Sequence, residues 1–172
     1  QKIAIKNNAL SPFLRPKKLS KDIINLETVQ KFSLNEIEKR GHMPDLIVHV
    51  EETFPFRENN LIDNMIIKLL NEGYDSVIAS KREVGWLWKE TESGNFDRID
   101  AGDIPRKFKE YTLLGLKGLC TVTYPEFIRS GKFIGKNIGL YEISSQLSEF
   151  EVRNKKSIPI AKKIIQNTKI LV

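Results

Sequence analysis

Apolar residues recur along this chain with two different periods. Leu46, Ile47, Val48 and Val50 form a short aliphatic run broken only by His49, which predicts a strand buried on both faces. Polar and turn-forming residues follow at once in Glu51-Glu52-Thr53-Phe54-Pro55-Phe56-Arg57. Leu61, Ile62, Met65, Ile66, Leu69 and Leu70 then return at helical spacing until Gly73, which predicts a helix stopped by glycine. Asp75 to Ser80 (DSVIAS) predicts a second strand. Strand, helix and strand in that order make a βαβ unit, and in open parallel sheets ligands bind beyond the carboxyl ends of the strands. Candidate chemistry is therefore expected at Glu51 to Arg57 and at Ser80 to Arg82.

On either side of this unit the pattern is more broken. Residues 1 to 10 read as the end of a helix running into a loop at Asn7-Asn8. Pro12 and Pro16 flank Arg15 and stiffen its loop; the arginine is either presented to a site or simply faces water. Asp22 to Arg40 predicts a helix with Leu26, Val29, Phe32 and Ile37 on one side and Gly41 beyond its end. Past Ser80 the alternation weakens, and Trp86 and Trp88 are expected to cover an edge of the core or to meet a second subunit. Leu113 to Val122 predicts a strand in which Gly115 and Gly118 permit close backbone approach. Thr123-Tyr124-Pro125-Glu126 has capping-box spacing and predicts a short helix ending at Gly131. Leu140 to Ile143 and Phe150 to Val152 read as short strands, and Ser157 to Gln166 as a helix with Ile158, Ala161, Ile164 and Ile165 inward. Together these predict an α/β layered domain.

Composition narrows the class of protein. The 172 residues fit one domain, with 40% hydrophobic and 29% charged residues. The net charge of +6 and pI near 9.3 suit anionic partners such as nucleotides. The cations are scattered in small groups, Lys17-Lys18, Arg153 to Lys156 and Lys162-Lys163, whereas a nucleic-acid-binding domain would concentrate them. Cys120 is the single cysteine, so no internal disulfide forms, and a reducing, cytoplasmic setting is expected. No signal peptide is visible, and no apolar run approaches the ~20 residues that span a bilayer.

Individual residues carry competing readings. His49, inside the apolar strand, reads as a core histidine with its hydrogen bonds satisfied. Glu51 and Glu52 are adjacent and point to opposite faces, so they do not form an acid/base couple. His42 belongs to a turn. Lys81 and Arg82 lie past the second strand and either meet an anionic ligand or form a solvated rim. Arg106 and Tyr111 are assigned no role.

In order and wording the chain resembles the acylneuraminate (CMP-sialic acid synthetase-like) cytidylyltransferases. PFLRPKKLSKD is similar to that family's F-x-R-P-x-x-L-A-x-D, and PDLIVHVEETFPFR to its strand ending in Q-P-T-S-P-L-R. IDNMI and DSVIAS fall where its helix and next strand fall, and GLKGLCTVTYPEFIRSG with GKNIGLYEI is similar to its late segment. The stretch from Glu83 to Leu114 corresponds least. The resemblance implies a Rossmann-like, three-layer nucleotide-diphospho-sugar transferase fold with a mainly parallel sheet. It also implies Mg²⁺-assisted transfer of CMP from CTP to an acidic nonulosonic sugar, with pyrophosphate leaving.

By the same resemblance Arg15, Thr53 and Arg57 fall on nucleotide- or substrate-binding positions, and Lys81 lies near them. Glu51 stands where the family has glutamine, and Asn25 where a serine is usual. Glu151 falls in the family's metal-binding D-I-D, whose other position is Arg153, a residue that cannot coordinate a cation. The family's glycine- and lysine-rich phosphate loop would lie upstream of Gln1, and residues upstream are expected to be absent. The implied protein is a homodimer joined through residues 83 to 114, with no nucleic-acid or membrane partner. The alternative is a non-catalytic relative that binds nucleotide sugars or dimerises around a degenerate metal site.

Overall fold

A computed structural model describes residues 1–100, 105, 108 and 111–168 of the chain. Parts of the expected 83–114 insert, Arg106 among them, lie outside the described residues. Helix α1 (Lys2–Lys6) ends in a turn at Asn7 and Asn8, and α2 (Leu26–Glu38) follows a proline-bounded loop. Asn25 starts α2 later than the apolar spacing suggested, because its side-chain oxygen accepts the Thr28 N–H at 3.1 Å and so caps the helix. Strand β1 (Ile47–His49), helix α3 (Leu61–Glu72) and strand β2 (Ser76–Glu83) come next, in the predicted order. Gly73 closes α3 in the left-handed conformation, with φ of 70°.

The sheet departs from the expected mainly parallel, Rossmann-like arrangement. After β2 the chain makes a separate hairpin of β3 (Trp88–Glu90) and β4 (Phe96–Arg98), then returns as β5 (Thr112–Gly115) and β6 (Thr121–Thr123). Because it returns from the far end of β2, this segment lies antiparallel to it. Ser80 pairs with Gly115, and Ser76 with Thr123. β6 also pairs antiparallel with β1, and so separates two strands that run the same way. Only β7 (Ile138–Glu142), on the other edge of β2, pairs in parallel. Three of the four described pairings in the five-stranded sheet are therefore antiparallel.

One predicted strand, Leu113 to Val122, is thus two. Both flanks hydrogen-bond to the same residue of β2: Leu116 N–H donates to the Ala79 carbonyl, and Ala79 N–H to the Cys120 carbonyl. Lys117, Gly118 and Leu119 leave the ladder between them as a tight turn, and Leu119 is driven into the core. α3 covers one face of the sheet. Leu61, Met65 and Leu69, spaced four apart, pack with Val77, Ala79, Val122, Cys120 and Phe54, while Leu70 faces outward at 57% exposure. The alternate positions hold Ser76, Ile78 and Ser80 of β2 and Thr121 and Thr123 of β6, and Ser76 and Thr123 share a buried hydrogen bond of 2.7 Å.

Several local expectations change in the folded chain. Ile47, Val48 and His49 are half-buried, not sealed on both faces, because β1 has a strand partner on one side only. Thr123 does not cap α4 (Pro125–Arg129), since it belongs to β6 and its hydroxyl is turned to Ser76. Tyr124 takes the capping position, with Pro125 in the first turn. Phe150 to Val152 is extended but unpaired as a strand, following a 3-10 turn over Gln146–Glu149. In α5 (Ser157–Thr168) Ala161 is buried, whereas Ile158 and Ile165 are exposed. Trp86 and Trp88 do not cover the core either; both are exposed on the hairpin side, 67% and 52%, with the Arg98 guanidinium 4.7 Å from the first ring.

The start of β2 is held to the start of β7 by Asp75, whose carboxylate accepts the N–H groups of Lys136 at 2.8 Å and Asn137 at 2.9 Å. These backbone donors, Asn137 first, lower the Asp75 pKa below its ordinary value. The contribution to stability is complete above the unfolded aspartate pKa of ~3.9 and is lost as pH falls through the lower folded value. Urea unfolding at pH 7 and pH 3 should therefore show less acid destabilisation for Asp75→Asn than for the wild type.

Candidate functional site

The carboxyl end of β1 opens into a loop fastened from two sides. Glu51 N–H donates to the Gly118 carbonyl at 2.7 Å. Arg57 reaches back, its Nε donating to the Leu119 carbonyl at 2.9 Å and its terminal nitrogen to the carbonyl of Glu51. On the other side Val152 N–H donates to the Thr53 carbonyl at 2.8 Å, and Ser148 Oγ to the Phe56 carbonyl at 2.9 Å. Phe54 is 4% exposed and anchors the loop in the core, while Phe56 meets the Phe150 ring at 5.8 Å. The segment Thr53 to Arg57 is thus held between the Gly118 turn and residues 148 to 152.

Burial lowers the pKa of the Arg57 guanidinium, which nevertheless stays charged. The Cys120 thiol, which interacts with it electrostatically, is pushed up to about 11, by burial first and against the pull of Arg57. That thiol is protonated at neutral pH and is a packing residue.

His49 sits at the rim of this loop with both ring nitrogens engaged. Gln30 of α2 approaches Nδ1 at 3.0 Å, and Glu51 Oε1 lies 3.4 Å from Nε2. Phe133 stands edge-on to the imidazole at 5.2 Å, and Lys117 lies 5.8 Å from the centre of the Phe133 ring. Two buried side-chain oxygens here, Gln30 Oε1 and Thr53 Oγ1, have no hydrogen-bond partner among the described residues. The Glu51 carboxylate lies where a Gly118 side chain would stand: a Cβ there would fall 2.6 Å from Glu51 Cδ. Gly118, read in the sequence as a point of close backbone approach, is therefore the residue that admits Glu51.

The other candidates have local partners. Arg15 donates from Nε to Ser20 Oγ at 3.1 Å, and Asn25 is the α2 cap. Lys81 binds Glu149 at 2.8 Å, which raises its pKa, and Arg82 binds Glu142 at 2.6 Å while lying 4.0 Å from the centre of the Tyr111 ring. The folded chain thus keeps Glu51, Thr53 and Arg57 on one loop and brings Lys81 to Glu149, in the segment that holds that loop, whereas the described contacts of Arg15 and Asn25 lie elsewhere. A cavity of ≈ 280 Å³ is lined by Arg57, Glu58, Asn60, Leu61, Ile62 and Asp63, at the start of α3. Gln30, Lys117 and Phe133 escaped the sequence reading because only the packing of α2 and of the two loops brings them to His49.

The expected Mg²⁺ site fits poorly. Glu151 is bound by Arg153 at 2.6 Å, and among the described residues no three His, Cys, Asp or Glu side chains are grouped to hold a metal ion. Among the same residues, no helix is long and apolar enough to cross a membrane.

No family model matches the chain, and no curated protein does. Among solved structures it is similar to 4-diphosphocytidyl-2C-methyl-D-erythritol synthase from Anaerococcus prevotii. The TM-score is 0.51 at 11% identity, over 76% of this chain and 64% of that one. The likeness is one of fold alone, and it does not point to the sialic-acid family.

The two-carbonyl clamp demands a planar fork that an ammonium cannot copy. Arg57→Lys is expected to lose about 1–3 kcal/mol of stability by leaving a carbonyl unpaired, measured as a drop in urea midpoint at unchanged m-value.

Proposed function

We propose that the chain carries out nucleotidyl transfer of the cytidylyltransferase type, joining CMP from CTP to an acidic nonulosonic sugar with release of pyrophosphate. The observation that carries this reading is the fold likeness to a synthase named for a diphosphocytidyl product. The loop Glu51 to Arg57 supports it, lying beyond a strand's carboxyl end where nucleotide ligands bind in layered α/β proteins. Such transfers depend on positioning and on electrostatic stabilisation more than on covalent help from the protein. A loop clamped on two sides suits that demand. Mg²⁺ enters this reading from the family resemblance alone, and no step is assigned to it on these residues.

The acidic sugar rests on the resemblance of PFLRPKKLSKD and PDLIVHVEETFPFR to the acylneuraminate cytidylyltransferases. Pyrophosphate release should appear with CTP plus a nonulosonic acid, and be at least tenfold slower with ATP, GTP or UTP. Equal turnover of all four nucleotides would remove the cytidylyl assignment.

A second reading, a non-catalytic relative that associates with its own copy, is favoured by a separate observation. The β3–β4 hairpin is a two-stranded sheet outside the main one, and it exposes Trp86, Trp88 and Phe96. Isolated two-stranded sheets are marginal in water, and exposed aromatic clusters mark interfaces. Light scattering should report a dimer for the wild type and a monomer for Trp86→Ala/Trp88→Ala; a monomeric wild type would dispose of this reading.

A further inference from the structure

We infer that the Glu51 carboxylate is the proton acceptor for the attacking hydroxyl, with His49 as its positioning residue; the inference rests on the nucleotidyl-transfer reading above. The main chain of Glu51 is fixed on both sides, its N–H on the Gly118 carbonyl and its own carbonyl under Arg57. Its side chain occupies the space that Gly118 leaves open. Oε1 meets His49 Nε2 at 3.4 Å, whereas Oε2 makes no hydrogen bond among the described residues, and the side chain is 33% exposed. One oxygen of the carboxylate is held by His49, and the other packs beside Gly118 with its lone pairs unused among the described residues.

The state of His49 follows from its second contact. An amide N–H of Gln30 donated to Nδ1 leaves the imidazole proton on Nε2, directed at Glu51. A neutral imidazole that donates to a carboxylate orients it without neutralising its charge. The cations around the pair have other partners. Arg57 bonds backbone carbonyls, Arg153 bonds Glu151 while its charge still reaches Glu51, and Lys117 lies over Phe133. Glu51 Oε2 therefore lies beside Gly118 with no hydrogen-bond partner among the described residues, on a side chain that is one-third exposed at the carboxyl end of β1.

Transfer of a nucleotidyl group to a hydroxyl needs such an acceptor. The hydroxyl proton passes to Oε2 as the hydroxyl oxygen bonds to the α-phosphorus of CTP. The bond from that phosphorus to the bridging oxygen breaks, and pyrophosphate leaves with the electron pair. The glutamine that the resembled family carries here has no comparable basicity, so the substitution adds a function absent from the amide.

The test is pyrophosphate release as a function of pH, with CTP and each of a panel of nonulosonic acids, for wild type, Glu51→Gln and His49→Gln. Glu51→Gln should lower kcat about 100-fold or more, leave KM for CTP unchanged, and abolish the fall of activity at acid pH. His49→Gln should lower kcat less and displace that acid limb along the pH axis. Gly118→Ala, which keeps the carboxylate but forces it aside, should reproduce the kcat loss and serves if Glu51→Gln does not fold. Turnover within about threefold of wild type with the acid limb intact, in Glu51→Gln or in Gly118→Ala, overturns the inference and leaves nucleotidyl transfer standing. A wild type that transfers to no acceptor overturns both.

Discussion

A single guanidinium joins the two halves of this sheet's working end. Arg57 bonds the carbonyl of Glu51, on its own loop, and that of Leu119, in the turn between β5 and β6. Both carbonyls lie outside the strand ladders; that of Glu51 also accepts the Phe54 N–H at 3.3 Å, whereas that of Leu119 depends on Arg57 among the described residues. A planar fork of five donors can serve both acceptors at once. Because Leu119 and Cys120 are fully buried beside it, the clamp also sets where the β5–β6 turn enters the core. The Gly118 position, the Glu51 carboxylate and the His49 ring then follow in a chain of contacts.

The antiparallel insertion makes this clamp possible. A mainly parallel sheet would have placed β2 directly beside β1. Here the chain makes the β3–β4 hairpin after β2 and comes back between those strands as β6. The turn that interrupts β5 and β6 is thereby brought against the end of β1, where Glu51 N–H and Arg57 meet it. Ala79 holds both flanks of the turn, so the excursion of Lys117 to Leu119 has a rigid base. The sheet's two faces divide the remaining work: Val77, Ala79 and Val122 pack under α3, while Ser76 and Thr123 bond to each other on the opposite side.

The fold likeness and the motif resemblance are independent of each other, and only the first is a likeness of the whole backbone. The first comes from backbone shape at 11% identity, the second from short motifs. Where the motifs and this chain differ, at Glu51 and Arg153, the differences are of charge and fall beside the loop. Arg153 spends itself on Glu151, and Glu51 Oε2 has no hydrogen-bond partner among the described residues.

Much of this was legible in the residues themselves. The aliphatic run before Glu51, the 3.6-residue spacing of Leu61 to Leu69 and the stop at Gly73 are local, and local backbone preference suffices to specify them. The order β1, α3, β2 and the placing of candidate chemistry after β1 followed from them. The direction of the sheet did not, because strand pairing depends on where a distant segment returns, and no periodicity encodes that. The same limit explains the split of Leu113 to Val122, which depends on two bonds to Ala79, and the loss of the Thr123 cap to Ser76. By itself the sequence determined β1, α3 and β2, their order, and Gly118 as a point of close backbone approach. Only the tertiary structure decided which residues meet, because Arg57 with Leu119, His49 with Gln30, and Glu51 with Gly118 are contacts between segments that no local rule relates.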